Sequence, residues 1–377
     1  MPEAVVTLRT SDFDYELPAE LIAQTPSAAR GGSRLLVVGR KDGKTESRKG
    51  GDGSPATFRP SVLPSSFRPS VLPSLEHRHF TDLPDLIPPD DLLVLNSTRV
   101  RHARLIGGRA SGAPAEVLLI HPEPDGTWVA MGQPGSALRP GKRILLGQGI
   151  SVETVEILDE GFRRVRIAGA TAEEAMARLG RLPLPPYIRR DPTPEDDDRY
   201  QTVFAEREGS VAAPTAGLHF TPELLARLEG RKVRIARLDL EVGPGTFKPV
   251  ETEDYTAHPM HPERYDIPEA AAAAVAAART RGAMVWAVGT TVVRALESAA
   301  SADGTVIAGA GETRLMIAPG YEFRVVDRLI TNFHLPRSTL LMLVCAFAGY
   351  GTTMAAYRTA VRERYRFYSY GDAMVII

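Results

Sequence analysis

Apolar positions along this chain fall into two textures. From about Val100 to Ala168 they alternate with polar ones in short runs: Glu116–His121, Trp128–Met131, Arg143–Leu146, Ser151–Leu158 and Arg163–Ile167. Gly, Pro and Asp separate these runs, which predicts half-buried antiparallel strands. Elsewhere strands are predicted at Arg34–Val38, Asp91–Asn96, Val233–Leu240, Val285–Val288, Thr313–Ile317 and Arg328–Thr331. Helical spacing separates them at Pro222–Glu229, Pro268–Arg281 and Thr291–Ala300, with further helices predicted from Pro18 and over Thr171–Leu179, the latter stopped by Gly180. The expected fold is an α/β main domain built from both chain ends, residues 1–99 and 200–377, with an inserted all-β, barrel-like domain over residues 100–199. Residues 41–77 fit neither texture. They are rich in Gly, Ser, Pro and charge, and they repeat one octapeptide at Phe58–Ser65 and Phe67–Ser74, which predicts a disordered low-complexity insertion.

Length and composition agree with this division. The chain has 377 residues, too many for one small core, with 43% hydrophobic and 24% charged residues. Its single cysteine, Cys345, rules out an intrachain disulfide and suits a reducing compartment. The apolar run Leu340–Ala348 is far short of the ~20 residues that span a bilayer, and no basic-then-apolar leader opens the sequence. A cytoplasmic protein without a membrane partner is expected. A net charge of −1 excludes a bulk polycation but leaves local basic patches. Arg99, Arg101 and Arg104 cluster, and Arg358, Arg362 and Arg366 are spaced to share one helix face. Tyr357, Tyr365, Phe367, Tyr368 and Tyr370 interleave with the second group, a mixture suited to looped RNA.

Candidate chemistry sits in several turns. In Leu329–Gly349 an apolar strand gives way to Asn332, His334, Arg337, Ser338 and Thr339, and an apolar helix follows. Ser338 or Thr339 can cap that helix, whose free N–H groups suit an anion. Gly209–Thr221 is a run of small residues around His219, a possible acid or base, with Thr221 capping the next helix. Trp286–Ser298 reads as strand, Gly-Thr-Thr turn and helix, with Arg294 facing either a ligand or Glu297. The glycines of Leu238–Phe247 resemble a dinucleotide-type loop, but no third glycine follows Gly245 and Lys248-Pro249 opposes an immediate helix. His258, His261 and Glu263 have metal-ligand chemistry, yet Pro259 and Pro262 oppose a shared helix face, so no metal is expected.

Taken in order, these strings resemble one family, the S-adenosylmethionine:tRNA ribosyltransferase-isomerases of queuosine biosynthesis. The matching stretches start with F-D-Y-E-L-P-A-E-L-I-A-Q-T-P, L-L-V-L-N-S-T-R-V-R-H-A-R-L and G-S-V-A-A-P-T-A-G-L-H-F-T. They continue with V-G-P-G-T-F-K-P-V, H-P-M-H-P-E, V-G-T-T-V-V-R-A-L-E-S and L-I-T-N-F-H-L-P-R-S-T, and run to the C-terminal R-Y-R-F-Y-S-Y-G-D-A-M-V-I.

The resemblance implies that the ribosyl part of S-adenosylmethionine is transferred to 7-aminomethyl-7-deazaguanine at the tRNA wobble position and isomerised. Epoxyqueuosine-tRNA forms, and adenine and methionine are released. S-adenosylmethionine is then a consumed substrate and no cofactor is required. Partners would be that substrate and a tRNA with a GUN anticodon, with no protein partner needed. His219 or His334 would take a proton from the carbon beside the sulfonium. The S-adenosylmethionine contacts would be Thr215, Gly217, Gly243, Gly245, Thr290, Thr291 and Arg337, and the tRNA contacts Arg99, Arg101, Arg104, Arg358, Arg362 and Arg366. Two positions depart from the family pattern: Glu241 stands where a His is usual, which makes Glu241 a third catalytic candidate, and Ser97 replaces an acidic residue. A methyltransferase or a non-catalytic RNA-binding module are the competing readings, and product analysis separates all three.

Overall fold

The computed structural model describes residues 8–40, 74–247 and 249–377. A nine-stranded mixed sheet forms its centre. In spatial order the strands are Gly309–Thr313, Glu263–Ile267, Arg234–Leu240, Leu92–Asn96, Val285–Val288, Arg328–Asn332, Ala373–Ile376, Arg34–Val38 and Leu75–His79. The four strands from Arg234–Leu240 to Arg328–Asn332 run parallel, so their carboxyl ends open on one side. In a sheet of this type ligands gather outside those ends.

Both faces of the sheet are covered. The helices Glu269–Arg281, Thr290–Ser298, Thr339–Ala348 and Tyr350–Arg362 pack on one face, and Phe80, Leu83 and the helix Pro222–Gly230 on the other. Ser338 caps the Thr339–Ala348 helix by accepting from the Leu341 N–H, and Gly349, at φ 88°, ends it. Thr221 caps the Pro222–Gly230 helix in the same way. Among the described residues no single helix is long and apolar enough to cross a membrane.

The alternating runs form a second, closed sheet. Strands Arg104–Arg109, Pro114–Pro122, Trp128–Gln133, Arg163–Ala168, Ile150–Ile157 and Arg143–Gly147 pair in that order, and the last pairs back to the first. The result is a six-stranded barrel with its own core, to which Gly180–Arg181 adds a short edge. The barrel's alternation of buried and exposed residues is what made these strands readable in the sequence.

Four expectations fail. Residues 41–73 lie outside the described residues, and with them most of the expected insertion, but Leu75–His79 is a strand paired with Arg34–Val38. The helix expected from Pro18 is only the single turn Ala19–Leu21, because Ile22 bridges to Phe367 and the Ala23 N–H bonds to the Phe367 carbonyl. Tertiary pairing overrides helix propensity there. The strand expected at Thr313–Ile317 instead covers Gly309–Thr313, where Gly311 leaves room for the Tyr265 ring that a Cβ would meet at 2.5 Å. Finally, the last helix ends at Arg362, so Arg366 does not share a face with Arg358 and Arg362. Tyr357, Tyr365, Phe367, Tyr368 and Tyr370 are all buried and offer no outer surface for stacking the bases of a docked RNA.

Candidate active site

Four sequence strings converge on one cleft at the carboxyl ends of the parallel strands. Ala213–Ala216, Gly289–Thr291, Thr331–Leu335 with Ser338, and Tyr368–Ser369 line it, joined by Tyr187, Val242 and Leu340. About 610 Å³ of open space lies within it, solvent at the mouth included. None of the lining side chains is an Asp, Glu, Lys or Arg. The walls are aromatic instead: the Tyr187 and Tyr368 rings lie 4.6 Å apart at 50°, with Phe333 beside them. Tyr187 comes from the Pro-rich exit of the barrel, and its hydroxyl meets that of Ser369.

One end of the cleft is the start of the Thr290–Ser298 helix. Gly289, at φ 92°, turns the chain from strand into helix, and Thr290 and Thr291 occupy the first helical positions. Thr291 Oγ1 is buried and has no partner among the described residues. Free backbone N–H groups and an unused hydroxyl at a helix start form an anion-seeking end.

Two histidines stand beside the cleft, in different settings. His334 lines the cleft, with Nε2 2.8 Å from Thr331 Oγ1. Its backbone is fixed from both sides: its N–H donates to the Tyr357 hydroxyl, and its carbonyl accepts from the Tyr15 hydroxyl. Burial pushes its pKa down to about 3. His219 lies behind the cleft wall, with Nδ1 2.7 Å from Ser33 Oγ and Nε2 3.1 Å from Asn332 Nδ2. Burial, with a smaller contribution from Arg366, lowers it to about 4. Both rings are therefore neutral at physiological pH.

The other expected site residues divide. Thr215, Thr290, Thr291 and His334 line the cleft, whereas His219 reaches it only through Asn332. Gly217 packs against Thr202 and Phe204, and Gly245 against the His261 ring, so each serves a close protein contact. Gly243 and Glu241 line a neighbouring recess with His121, Arg264 and Glu312, and Val242 borders both spaces. Burial raises the Glu241 carboxyl there, against the pull of Arg101 and Arg264. Arg337 does not line the cleft; it pairs with Glu253 at 2.9 Å. Ser97 is buried and donates to the Leu238 carbonyl. Arg294 faces neither a ligand nor Glu297 but pairs with Glu263, while Glu297 accepts the N–H groups of Arg324, Val325 and Val326. His261 meets Glu160 of the barrel at 2.5 Å, and no metal-binding group occurs among the described residues.

Of the arginines, Arg99, Arg358 and Arg362 are exposed. Arg101 lies over the Trp128 ring, Arg104 pairs with Glu116, and Arg366 donates to the Thr25 carbonyl. Residue types alone did not single out Tyr187, Ser369 or Ser33. Their roles depend on chain crossings that local patterning does not encode. Asn332 is visible in the sequence as an amide closing an apolar strand, but its partners are not.

The family profile described as Queuosine biosynthesis protein matches residues 10–53 and 69–376. The chain belongs to this family. It is 50% identical over 375 residues to the S-adenosylmethionine:tRNA ribosyltransferase-isomerase of Anaeromyxobacter dehalogenans (strain 2CP-C), covering 98% of this chain and 99% of that protein. The protein of the same name from Symbiobacterium thermophilum is 48% identical over 373 residues, covering 98% of this chain and 100% of that protein. The crystal structure of S-adenosylmethionine tRNA ribosyltransferase from Thermotoga maritima aligns with a TM-score of 0.52 at 34% identity, over 97% of this chain and all of that one.

Proposed function

We infer that this protein is an S-adenosylmethionine:tRNA ribosyltransferase-isomerase. It transfers and rearranges the ribosyl group of S-adenosylmethionine onto 7-aminomethyl-7-deazaguanine at the tRNA wobble position, giving epoxyqueuosine-tRNA, adenine and methionine. The observation that carries this reading, beside family membership, is a cleft with no charged side chain whose polar ends suit a ligand bringing its own charges.

The methionine carboxylate would meet the N-terminus of the Thr290–Ser298 helix, where Thr291 Oγ1 and free N–H groups await an acceptor. Water exclusion by the Tyr187 and Tyr368 rings strengthens this interaction. His334 is the imidazole that lines the cleft, and its neutral ring can accept the proton that the sulfonium acidifies on the adjacent ribosyl carbon.

The tRNA would enter beside the barrel. A groove lined by Arg104, Arg189 and Arg190, with Glu116 and Asp191 among them, runs along Pro183–Pro186, the segment that leads to Tyr187 of the cleft. Arg99, Arg358 and Arg362 add exposed positive charge. On this reading residues 100–199 act as an inserted RNA-facing unit, the tRNA carries a GUN anticodon, no protein partner is required, and the enzyme works in the cytoplasm.

The test is adenine release from S-adenosylmethionine, with tRNA carrying the aminomethyl base and with the same tRNA lacking it. Release only with the modified tRNA is expected. S-adenosylhomocysteine as product would instead mean methyl transfer, and binding of tRNA without any product would mean an RNA-binding module.

A further inference from the structure

Asn332 ends its strand inside the cleft wall, 2% exposed. Its amide nitrogen donates to the Tyr368 carbonyl at 3.0 Å and lies 3.1 Å from His219 Nε2. The Tyr368 carbonyl can only accept, so turning the amide over would set oxygen against oxygen. Both amide hydrogens are thereby committed. His219 Nε2 must accept one of them, which leaves the imidazole proton on Nδ1, donated to Ser33 Oγ at 2.7 Å. Burial keeps the His219 ring neutral, as that acceptor role demands.

This chain from Ser33 to Tyr368 uses every polar atom of the amide except one. Asn332 Oδ1 is buried without a partner among the described residues, on a side chain that lines the cleft. A buried acceptor left unpaired is destabilising, so a fixed one in a cleft points to a donor on the ligand. Its neighbours in the cleft are Tyr368 and Tyr187, whose ring faces suit a planar base.

We propose that Asn332 Oδ1 accepts the exocyclic 6-amino group of the adenine ring in the donor substrate, and so selects adenosyl over 6-oxopurine donors. His219 acts through it as a positioning residue that fixes the amide. The proposal rests on the reading of the cleft as an S-adenosylmethionine site. A 6-oxopurine would set its carbonyl against Oδ1 and leave two buried acceptors facing each other, a mismatch that a hydrogen-bonding site rejects strongly.

The test is calorimetric titration of S-adenosylhomocysteine and S-inosylhomocysteine into the full-length protein, which needs neither tRNA nor turnover. Wild type is expected to prefer the adenosyl compound by about 100-fold or more. Asn332→Ala should reduce that ratio below about ten-fold, chiefly by weakening the adenosyl compound. His219→Ala, which removes one of the two acceptors that hold the amide, should also reduce it. His219→Gln should restore it, because its side-chain carbonyl again accepts from Asn332, and a merely structural His219 would not give this rescue. An unchanged ratio in folded Asn332→Ala overturns the proposal. Should that variant fail to fold, an unchanged ratio in His219→Ala, or His219→Gln no better than His219→Ala, overturns it. The two readings fail separately. Absent adenine release with selectivity behaving as described removes the ribosyl-transfer reaction alone, whereas normal release with selectivity untouched by these variants removes the role of Asn332 alone.

Discussion

Arg294 and Glu263 form an ion pair out of contact with water, with side chains 7% and 5% exposed, between the Thr290–Ser298 helix and a sheet strand. Arg294 also donates to the Leu315 carbonyl at 3.1 Å. The pair anchors the helix whose first turn forms the anion-seeking end of the cleft. Removing one partner strands the other, so Arg294→Ala should cost about 3–5 kcal/mol in denaturant unfolding. Arg294→Met with Glu263→Leu should recover most of that loss. A cost below about 1 kcal/mol for the single variant, in the range of an exposed pair, would show that the pair is not a structural anchor.

Stability should fall on the acid side. His219 and His334 are lowered to about 4 and about 3, chiefly by burial, from the usual value near 6.5. Below about pH 6.5 the unfolded chain takes up protons that the folded one refuses. The contribution is therefore complete above that pH and is lost as pH falls, by up to about 1.4 kcal/mol per pH unit for each ring. Urea midpoints at pH 7.5, 6.0 and 5.0 should show a shallower loss in His219→Gln than in wild type. Equal slopes would mean that the ring is protonated in the folded protein.

His334 and His219 should separate in kinetics. His334→Ala is expected to slow adenine release by about 10²–10⁴-fold, the range for loss of a general base, with S-adenosylhomocysteine binding changed only a few-fold. His219→Gln should keep most of the rate. The reverse order, with His334→Ala active and His219→Gln dead, would move the base behind the cleft wall.

Arg358 and Arg362 stand exposed one turn apart on the last helix, whereas the Arg366 guanidinium is tied to the Thr25 carbonyl. Replacing Arg358 and Arg362 together by Ala should flatten the dependence of log affinity for tRNA on log salt by about 1.4, roughly 0.7 for each phosphate contact in a single strand. Arg366→Ala should leave that slope alone. No change in the double variant would take this face off the RNA.

The chain shows its two textures plainly because strands that follow strands and strands that alternate with helices leave different periodicities, and both sheets follow from them. Paired partners are harder to read. Ile22 bridging to Phe367 overrode a helix, and Gly311 hid a strand whose merit is the space it gives Tyr265. At the site, Thr215, Thr290, Thr291 and His334 were legible from small-residue and helix-start patterns, and all four line the cleft. Arg337 and Gly245 carry the right chemistry for a ligand, but their side-chain surroundings are Glu253 and His261. Residue type tells what a side chain can do, while the fold decides what it meets.

The strand Ala373–Ile376 lies between Arg328–Asn332 and Arg34–Val38, parallel to the latter. On the ribosome, residues 34–38 must therefore wait for residues 373–376 before finding their place, with a sheet edge unpaired through most of translation. The barrel, whose pairings are all internal to residues 104–181, has no such delay. A chain without residues 373–376 would carry a finished barrel on a sheet with open edges at Arg328–Asn332 and Arg34–Val38, and such edges invite aggregation.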